Sequence, residues 1–277
     1  MPTVLEPAAV LRLLRHEAMV HAVPNRQVRD LGDALLLHDP VDAEPFWNRL
    51  EAVRFPDDPD AFDRRLAEIG ILFASIGRQP HIWLLPPYDA PVDVHARLVA
   101  AGFEDAGAGH VMVAVDDAAA RPVVRAALPP GVEIERHRRV VGPAASSVSA
   151  AIVDVLLAAF SVGSERRAGV ITETVASLAD PRFTHYLVRV GGEPVAVARR
   201  ATFDGLGYLS SIGTVPAARG RGLGRLVTAT ATVDGFADGS ELVHLGVFTD
   251  NRPAKALYQA LGYAFVGEPG PDMVLIG

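Results

Sequence analysis

Read for periodicity, the chain falls into two halves, and the second is the clearer. Val132–Arg136 predicts a short strand, and Ile152, Val155, Leu156 and Ala159 then share one face of a helix. A polar stretch, SVGSERRAG, leads to a second helix from about Ile171 to Leu178, ended by Asp180-Pro181. Tyr186–Val190, Pro194–Phe203 and Tyr208–Val215 read as strands joined by Gly191-Gly192 and Asp204-Gly205, both hairpin turn pairs. After PAARGRGLG, a helix carries Leu223, Leu226, Val227 and Val233 on one side, and Leu242–Val247 is a strand. Ala254, Leu257, Tyr258 and Leu261 mark an amphipathic helix stopped by Gly262. Two short strands, Tyr263–Val266 and Met273–Ile276, complete the order β-α-α-β-β-β-α-β-α-β-β.

The first half repeats the tail of that order. A helix over Ala61–Ile76 precedes a strand at His81–Leu85, a helix at Val92–Ala101 and strands near Phe103 and Val111–Val115. At an offset of 160 residues, AAGF (100–103) falls on ALGY (260–263), and Ile82–Leu85 falls on Leu242–Leu245. Two copies of one mixed α/β fold account for this. Earlier in the chain, Val4–Arg15 reads as a helix, and Leu35–Leu37 and Leu50–Phe55 as strands. Pro122, Pro129, Pro130 and Gly131 break the pattern between the copies, which places domains at 1–120 and 131–277 and a linker at about Asp116 to Pro130.

A length of 277 residues suits two domains, and 49% hydrophobic with 21% charged residues is a globular balance. The mean hydropathy of +0.22 comes from scattered alanine, and with no run of about eighteen apolar residues no segment is expected to be a transmembrane helix. The N-terminal stretch carries Glu6 and Arg12 within its apolar part, unlike a secretory leader. The absence of cysteine removes disulfides, thiolate metal sites and a thiol nucleophile, and a cytoplasmic protein is expected. A net charge of −7 argues against nucleic-acid binding and does not forbid a cationic substrate such as an amine.

Candidate chemistry concentrates in Gly213-Thr214-Val215-Pro216-Ala217-Ala218-Arg219-Gly220-Arg221-Gly222-Leu223-Gly224-Arg225. Here a strand ends and three alternating glycines enter a helix whose first N–H groups lack intrahelical partners, a ready site for a diphosphate. Arg219, Arg221 and Arg225 add positive charge; a flexible turn is the plainer alternative. A Walker loop would need a lysine, and a dinucleotide fingerprint would need its third glycine one residue later. Arg219-Gly220-Arg221-Gly222-Leu223-Gly224 instead fits the R/QxxGxG/A loop of the GNAT N-acetyltransferases at every position. Downstream, Asn251, Ala254, Leu257, Tyr258, Gly262 and Tyr263 resemble that family's second signature.

The resemblance covers residues 131–277 well and the first half in outline. It implies two tandem GNAT-like domains, each a splayed mixed sheet flanked by helices. Acetyl-CoA would lie between the strands Tyr208–Val215 and Leu242–Val247, its pyrophosphate on the amides from Gly220 to Arg225. The pantetheine arm would pair with the strand edge at Ile212–Val215, Thr214 and Val215 included, near Asn251. Tyr258 would protonate the departing thiolate, although its apolar face also suits a core residue, and Asn251 also suits a helix cap. Many members supply a glutamate base from the fourth strand, but GYLSSIGTV has no carboxylate. Glu165, Glu173 and His244 are candidate bases, each with a plain structural role as alternative; Ser210 and Ser211 are candidates to hold a water.

No histidine pair has metal-ligand spacing, and no metal is expected. In the first copy the loop falls on Asp60–Arg64, Tyr258 on Leu98 and Asn251 on Pro91, so that copy keeps the fold without the cofactor chemistry. The expected activity is acetyl transfer to an amine of a small molecule or peptide, by a monomer or homodimer. A non-catalytic acyl-CoA sensor, or acetylation of a cysteinyl amine as in mycothiol synthase, are the alternatives.

Overall fold

The computed structural model describes residues 5–276. In chain order the elements are α1 (Pro7–His21), β1 (Gln27–Asp30), β2 (Leu35–His38), β3 (Arg49–Glu51), α2 (Pro59–Ser75), β4 (His81–Trp83), α3 (Val94–Ala100) and β5 (Phe103–Ala114). They continue as α4 (Arg121–Arg125), β6 (Val132–His137), α5 (Pro143–Phe160), α6 (Arg167–Ala179), β7 (Phe183–Val190), β8 (Glu193–Phe203) and β9 (Leu206–Thr214). The last are α7 (Leu223–Ala237), β10 (Leu242–Phe248), α8 (Arg252–Ala260) and β11 (Ala264–Leu275). Val4, the first residue of the helix expected at Val4–Arg15, lies outside the described residues.

The chain divides into two compact units. One comprises Met1–Val111, Gly246–Arg252 and Phe265–Gly277; the other comprises Met112–Leu245 and Pro253–Ala264. The contiguous second domain expected at 131–277 therefore gives its end to the first unit. The reason is hydrogen bonding: β11 pairs antiparallel with β4, Met273 opposite Ile82. In the first unit the strand order is β1-β2-β3-β4-β11-β5. Leu36, Leu50, Ile82 and Met273 from its strands pack with Phe62, Ile69 and Phe73 of α2 and Leu98 of α3.

In the second unit the order is β10-β9-β8-β7-β6. The strands β6 to β9 are antiparallel neighbours, whereas β10 runs parallel to β9. One face buries Leu187 and Val197 against Ile152, Val155 and Leu156 of α5 and Leu178 of α6. On α7, Thr228, Thr230 and Thr232 turn their hydroxyls back to the carbonyls of Gly224, Leu226 and Thr228, which lets a helix of small residues bury its polar atoms.

Several elements differ from the periodicity reading. The pairs of short strands expected around 103–115 and 263–276 are single strands, β5 and β11. Within β11, Gly267 and Gly270 serve close approach: a Cβ there would collide with the carbonyls of Pro86 and Leu84. The strand expected over Leu50–Phe55 is only three residues, Arg49–Glu51. The linker holds a helical turn, α4, because Pro122 stands in its first turn, where a missing N–H costs nothing. Helix α5 is 18 residues and apolar enough by length and composition to cross a membrane, contrary to the expectation that no segment is; its apolar side packs on the sheet of the second unit.

Candidate active site

The candidate site starts where β9 loses a neighbour. The register of β10 with β9 runs from Leu242 opposite Leu206 to Leu245 opposite Leu209. Beyond Leu209, Ser210, Gly213 and Thr214 stay paired to β8. Their opposite edge is the one a ligand with amide groups can address. A bulge interrupts this stretch: Ser210 faces Arg199 and Gly213 faces Val197, and between them Ser211 takes φ +52°. Bulges re-aim main-chain groups, and a non-glycine residue in the left-handed region is strained, a combination common beside active sites.

From β9 the chain passes through a 3-10 turn, Pro216–Ala218, into the glycine loop. Gly220 and Gly222 have φ of +76° and +77°, backbone that L side chains rarely adopt, and a Cβ at either would meet open space. Gly222 is the N-cap of α7 and supplies no side-chain bond to the helix start. The amides of Leu223, Gly224 and Arg225 are thus left without a capping side chain, at the positive end of a 15-residue helix. Arg221 and Arg225 are exposed, and among the described residues no carboxylate pairs with either. Arg219 is used differently. Its Nε and Nη2 donate to the carbonyls of Thr214 (3.2 Å) and Ala159 (2.8 Å), tying the loop to the ends of β9 and α5.

Tyr258 lies on α8, and the adjacent Leu257 reaches the first turn of α7, 3.6 Å from where a Gly224 Cβ would stand. Tyr258 is buried, its ring 6.1 Å from that of Tyr263, and burial pushes its hydroxyl up to about 12. The phenol therefore holds its proton at neutral pH, as a proton donor must. The neighbouring Tyr263 hydroxyl bonds Thr232 Oγ1 at 2.7 Å. Asn251, exposed just ahead of α8, donates its main-chain N–H to the Phe248 carbonyl and falls in the first unit.

The candidate bases separate. Glu173 on α6 accepts from Arg199 Nη1 at 2.8 Å, and Arg199 Nε donates to Ser210 Oγ at 3.0 Å. Glu173 is thereby joined, through one arginine, to the residue where the free edge of β9 begins. Glu165 is exposed in the turn Ser164–Arg166, its carboxylate folded back over Gly163. His244 is buried, its ring 4.9 Å from Tyr208. Periodicity did not reveal Arg199 or the bulge. The signal for Arg199 was present as two adjacent arginines inside the apolar strand VAVARRATF. No cluster of three or more metal-ligating side chains occurs among the described residues.

Residues 151–263 match the family model described as Acetyltransferase (GNAT) family. A GCN5-related N-acetyltransferase from Kribbella flavida has a similar structure, with TM-score 0.70 and 23% identity over 96% of this chain and 95% of that one. A tandem GNAT protein from the clavulanic acid biosynthesis pathway has TM-score 0.63 and 16% identity over 93% and 86% of the chains. A GCN5-related N-acetyltransferase from Sphaerobacter thermophilus has TM-score 0.61 and 16% identity over 99% and 94%. None of the curated protein sequences compared with the chain matches it.

Proposed function

We propose that this protein transfers the acetyl group of acetyl-CoA to an amine, a reading supported by the match of residues 151–263 to the GNAT acetyltransferase family model and by the similar fold of a tandem GNAT protein. The observation that carries the reading is the uncapped glycine entry of α7 beside two unpaired arginines. That arrangement supplies converging N–H donors and positive charge for a diphosphate in a protein whose net charge is −7.

On this reading the diphosphate lies on the amides of Gly220 to Arg225, and the pantetheine arm follows the edge of β9 past Leu209. The thioester carbonyl then comes to the bulge at Ser211, where re-aimed main-chain N–H groups can polarise it. Glu173 takes the proton that an ammonium acceptor must lose, and Glu165 is the second candidate for that role. The amine attacks the carbonyl carbon, the C–S bond breaks, and Tyr258 protonates the leaving thiolate. The acceptor is a small-molecule or peptide amine.

Titration calorimetry with acetyl-CoA tests the binding half; no heat at millimolar coenzyme overturns the reading. Tyr258→Phe tests the chemistry. Turnover should fall by about 10- to 100-fold while coenzyme affinity stays within about twofold, and unchanged turnover removes the assignment.

A further inference from the structure

A row of polar residues crosses the α6 side of the second unit's sheet in direct register. His137 lies opposite His185, His185 opposite Arg199, and Arg199 opposite Ser210. The row ends where β9 leaves β10. Its inner part is closed: His185 is fully buried, its Nε2 is 2.9 Å from Ser177 Oγ, and burial beside the Arg199 cation holds its pKa well below the usual histidine value.

Its outer part is open in a specific sense. Arg199 is 5% exposed, and its guanidinium lies against the Phe183 ring at 5.5 Å. Only its bonds to Ser210 and Glu173 engage it, so three of its five N–H groups have no acceptor among the described residues. The adjacent Arg200 makes the contrast: its unpartnered Nε and Nη1 are sealed from solvent, whereas Arg199 Nη2, the Arg199 nitrogen without a hydrogen bond, is not.

We propose that Arg199 determines which acceptor is used, by binding a carboxylate on the molecule that carries the amine. The acceptor class is then an amino acid or a close analogue. This rests on the acetyltransferase reading above. A guanidinium presents its N–H groups in a plane that matches a carboxylate, and the contacts to Glu173, Ser210 and Phe183 hold that plane in place before a ligand arrives. The Arg199–Glu173 pair is net neutral, so it suits a zwitterion better than a lone cation or anion. The carboxylate takes the unused edge of Arg199, and the ammonium turns to Glu173. The ammonium proton passes through Glu173 to solvent, the freed nitrogen forms the C–N bond as the C–S bond breaks, the thiolate takes the Tyr258 proton, and the nitrogen gives up its second proton to Glu173 as the amide forms. Solvent carries that second proton from Glu173 to Tyr258, so one proton is released per turnover and no other reactant is needed.

The test measures thiol release from acetyl-CoA with free amino acids, their amides and the corresponding decarboxylated amines. At least one free amino acid should exceed its amide by about 100-fold in kcat/KM, because a site built to pair a buried polar group rejects analogues that leave it unpaired. Arg199→Met should abolish the preference chiefly through KM, leaving acetyl-CoA affinity unchanged, and Arg199→Lys should restore part of it. Should Arg199→Met not fold, the wild-type panel and Arg199→Lys decide. Amides or plain amines that match every free acid overturn the inference, as does bound coenzyme with no transfer to any amino acid. Failure of the wild type to bind acetyl-CoA overturns the acetyltransferase reading itself, and this inference with it.

Discussion

The two units carry the same strand–helix–strand arrangement and treat the main-chain groups at its strand edge and helix start in opposite ways. In the second unit, α7 begins at a glycine N-cap with no capping side chain, and β9 has an edge free of β10 beyond Leu209. In the first unit the corresponding helix, α2, begins at Asp58, whose carboxylate accepts from the Ala61 amide at 2.9 Å, with Pro59 and Asp60 in the first turn. The strand edge is taken as well. Phe55 N–H bonds the Ala90 carbonyl (2.9 Å) and Ala90 N–H bonds the Val53 carbonyl (3.0 Å). The Asp89 carboxylate accepts from Val53 N–H at 2.8 Å and from Leu85 N–H. The segment following β4 thus occupies the edge beyond β3 that a coenzyme would use. One copy keeps its main-chain donors available; the other satisfies them from within its own chain, and its helix start is negative where an anion would need it positive.

If that difference decides binding, the largest effect comes from closing the open copy. Gly222→Val adds a β-branched side chain at φ +77° and should weaken acetyl-CoA binding by about 100-fold or more, with little change in thermal stability relative to that loss. Calorimetry on the wild type should give one coenzyme per chain. Two equivalent sites would break the comparison.

The plug in the first copy should matter to stability instead. Asp89→Ala removes the acceptor of two buried N–H groups and should cost about 2 to 4 kcal/mol, less whatever is regained by no longer burying a carboxylate. Denaturant unfolding measures it, and a neutral result would mean that the segment is held by its main-chain bonds alone.

How much of this was legible follows from which groups carry it. The glycine loop was readable because its backbone restricts residue type: the positive φ of Gly220 and Gly222 and the crowding at Gly224 leave a sequence mark. The quenched helix start was readable for the same reason, as aspartates where the other copy has glycine. The plug was not, since its contacts are main-chain bonds between segments far apart in sequence, which Val53, Phe55 and Ala90 make without any diagnostic side chain. Nor was the bulge at Ser211, because alternation in GYLSSIGTV reads as uninterrupted strand. The exchange of β11 into the first unit's sheet lies beyond periodicity altogether, which reports that a segment is a strand and not what it pairs with.

The first copy also keeps a carboxylate on the strand where the second has none. Glu51 on β3 is fully buried, with Arg49 Nη2 3.5 Å from it and equally far from Glu17. Burial is the main cause that raises its pKa to about 7, Glu17 and Asp89 adding to the rise and Arg49 opposing it. The sign follows from linkage. Between the unfolded value near 4.3 and about 7 the folded state holds a proton the unfolded state has lost, so stability declines as pH rises through that window. The decline should be on the order of 2 kcal/mol, and Glu51→Gln should flatten it. Unfolding of both proteins at pH 5 and pH 8 measures this, and parallel profiles would show that the charge is compensated at both.

The smallest effect sharpens the comparison most, because it asks whether a cap alone separates the copies. Asp58→Ala frees the amide of Ala61 and removes one negative charge, bringing the start of α2 nearer to that of α7. It should lower stability by about 1 kcal/mol, the usual worth of an N-cap. It should create no second coenzyme site, because Pro59 and Asp60 remain and the Ala90 segment still holds the strand edge. Stoichiometry of acetyl-CoA on the variant distinguishes the two outcomes. A second equivalent of bound coenzyme would mean that the helix start governs binding and that the occupied edge beyond β3 yields to the ligand.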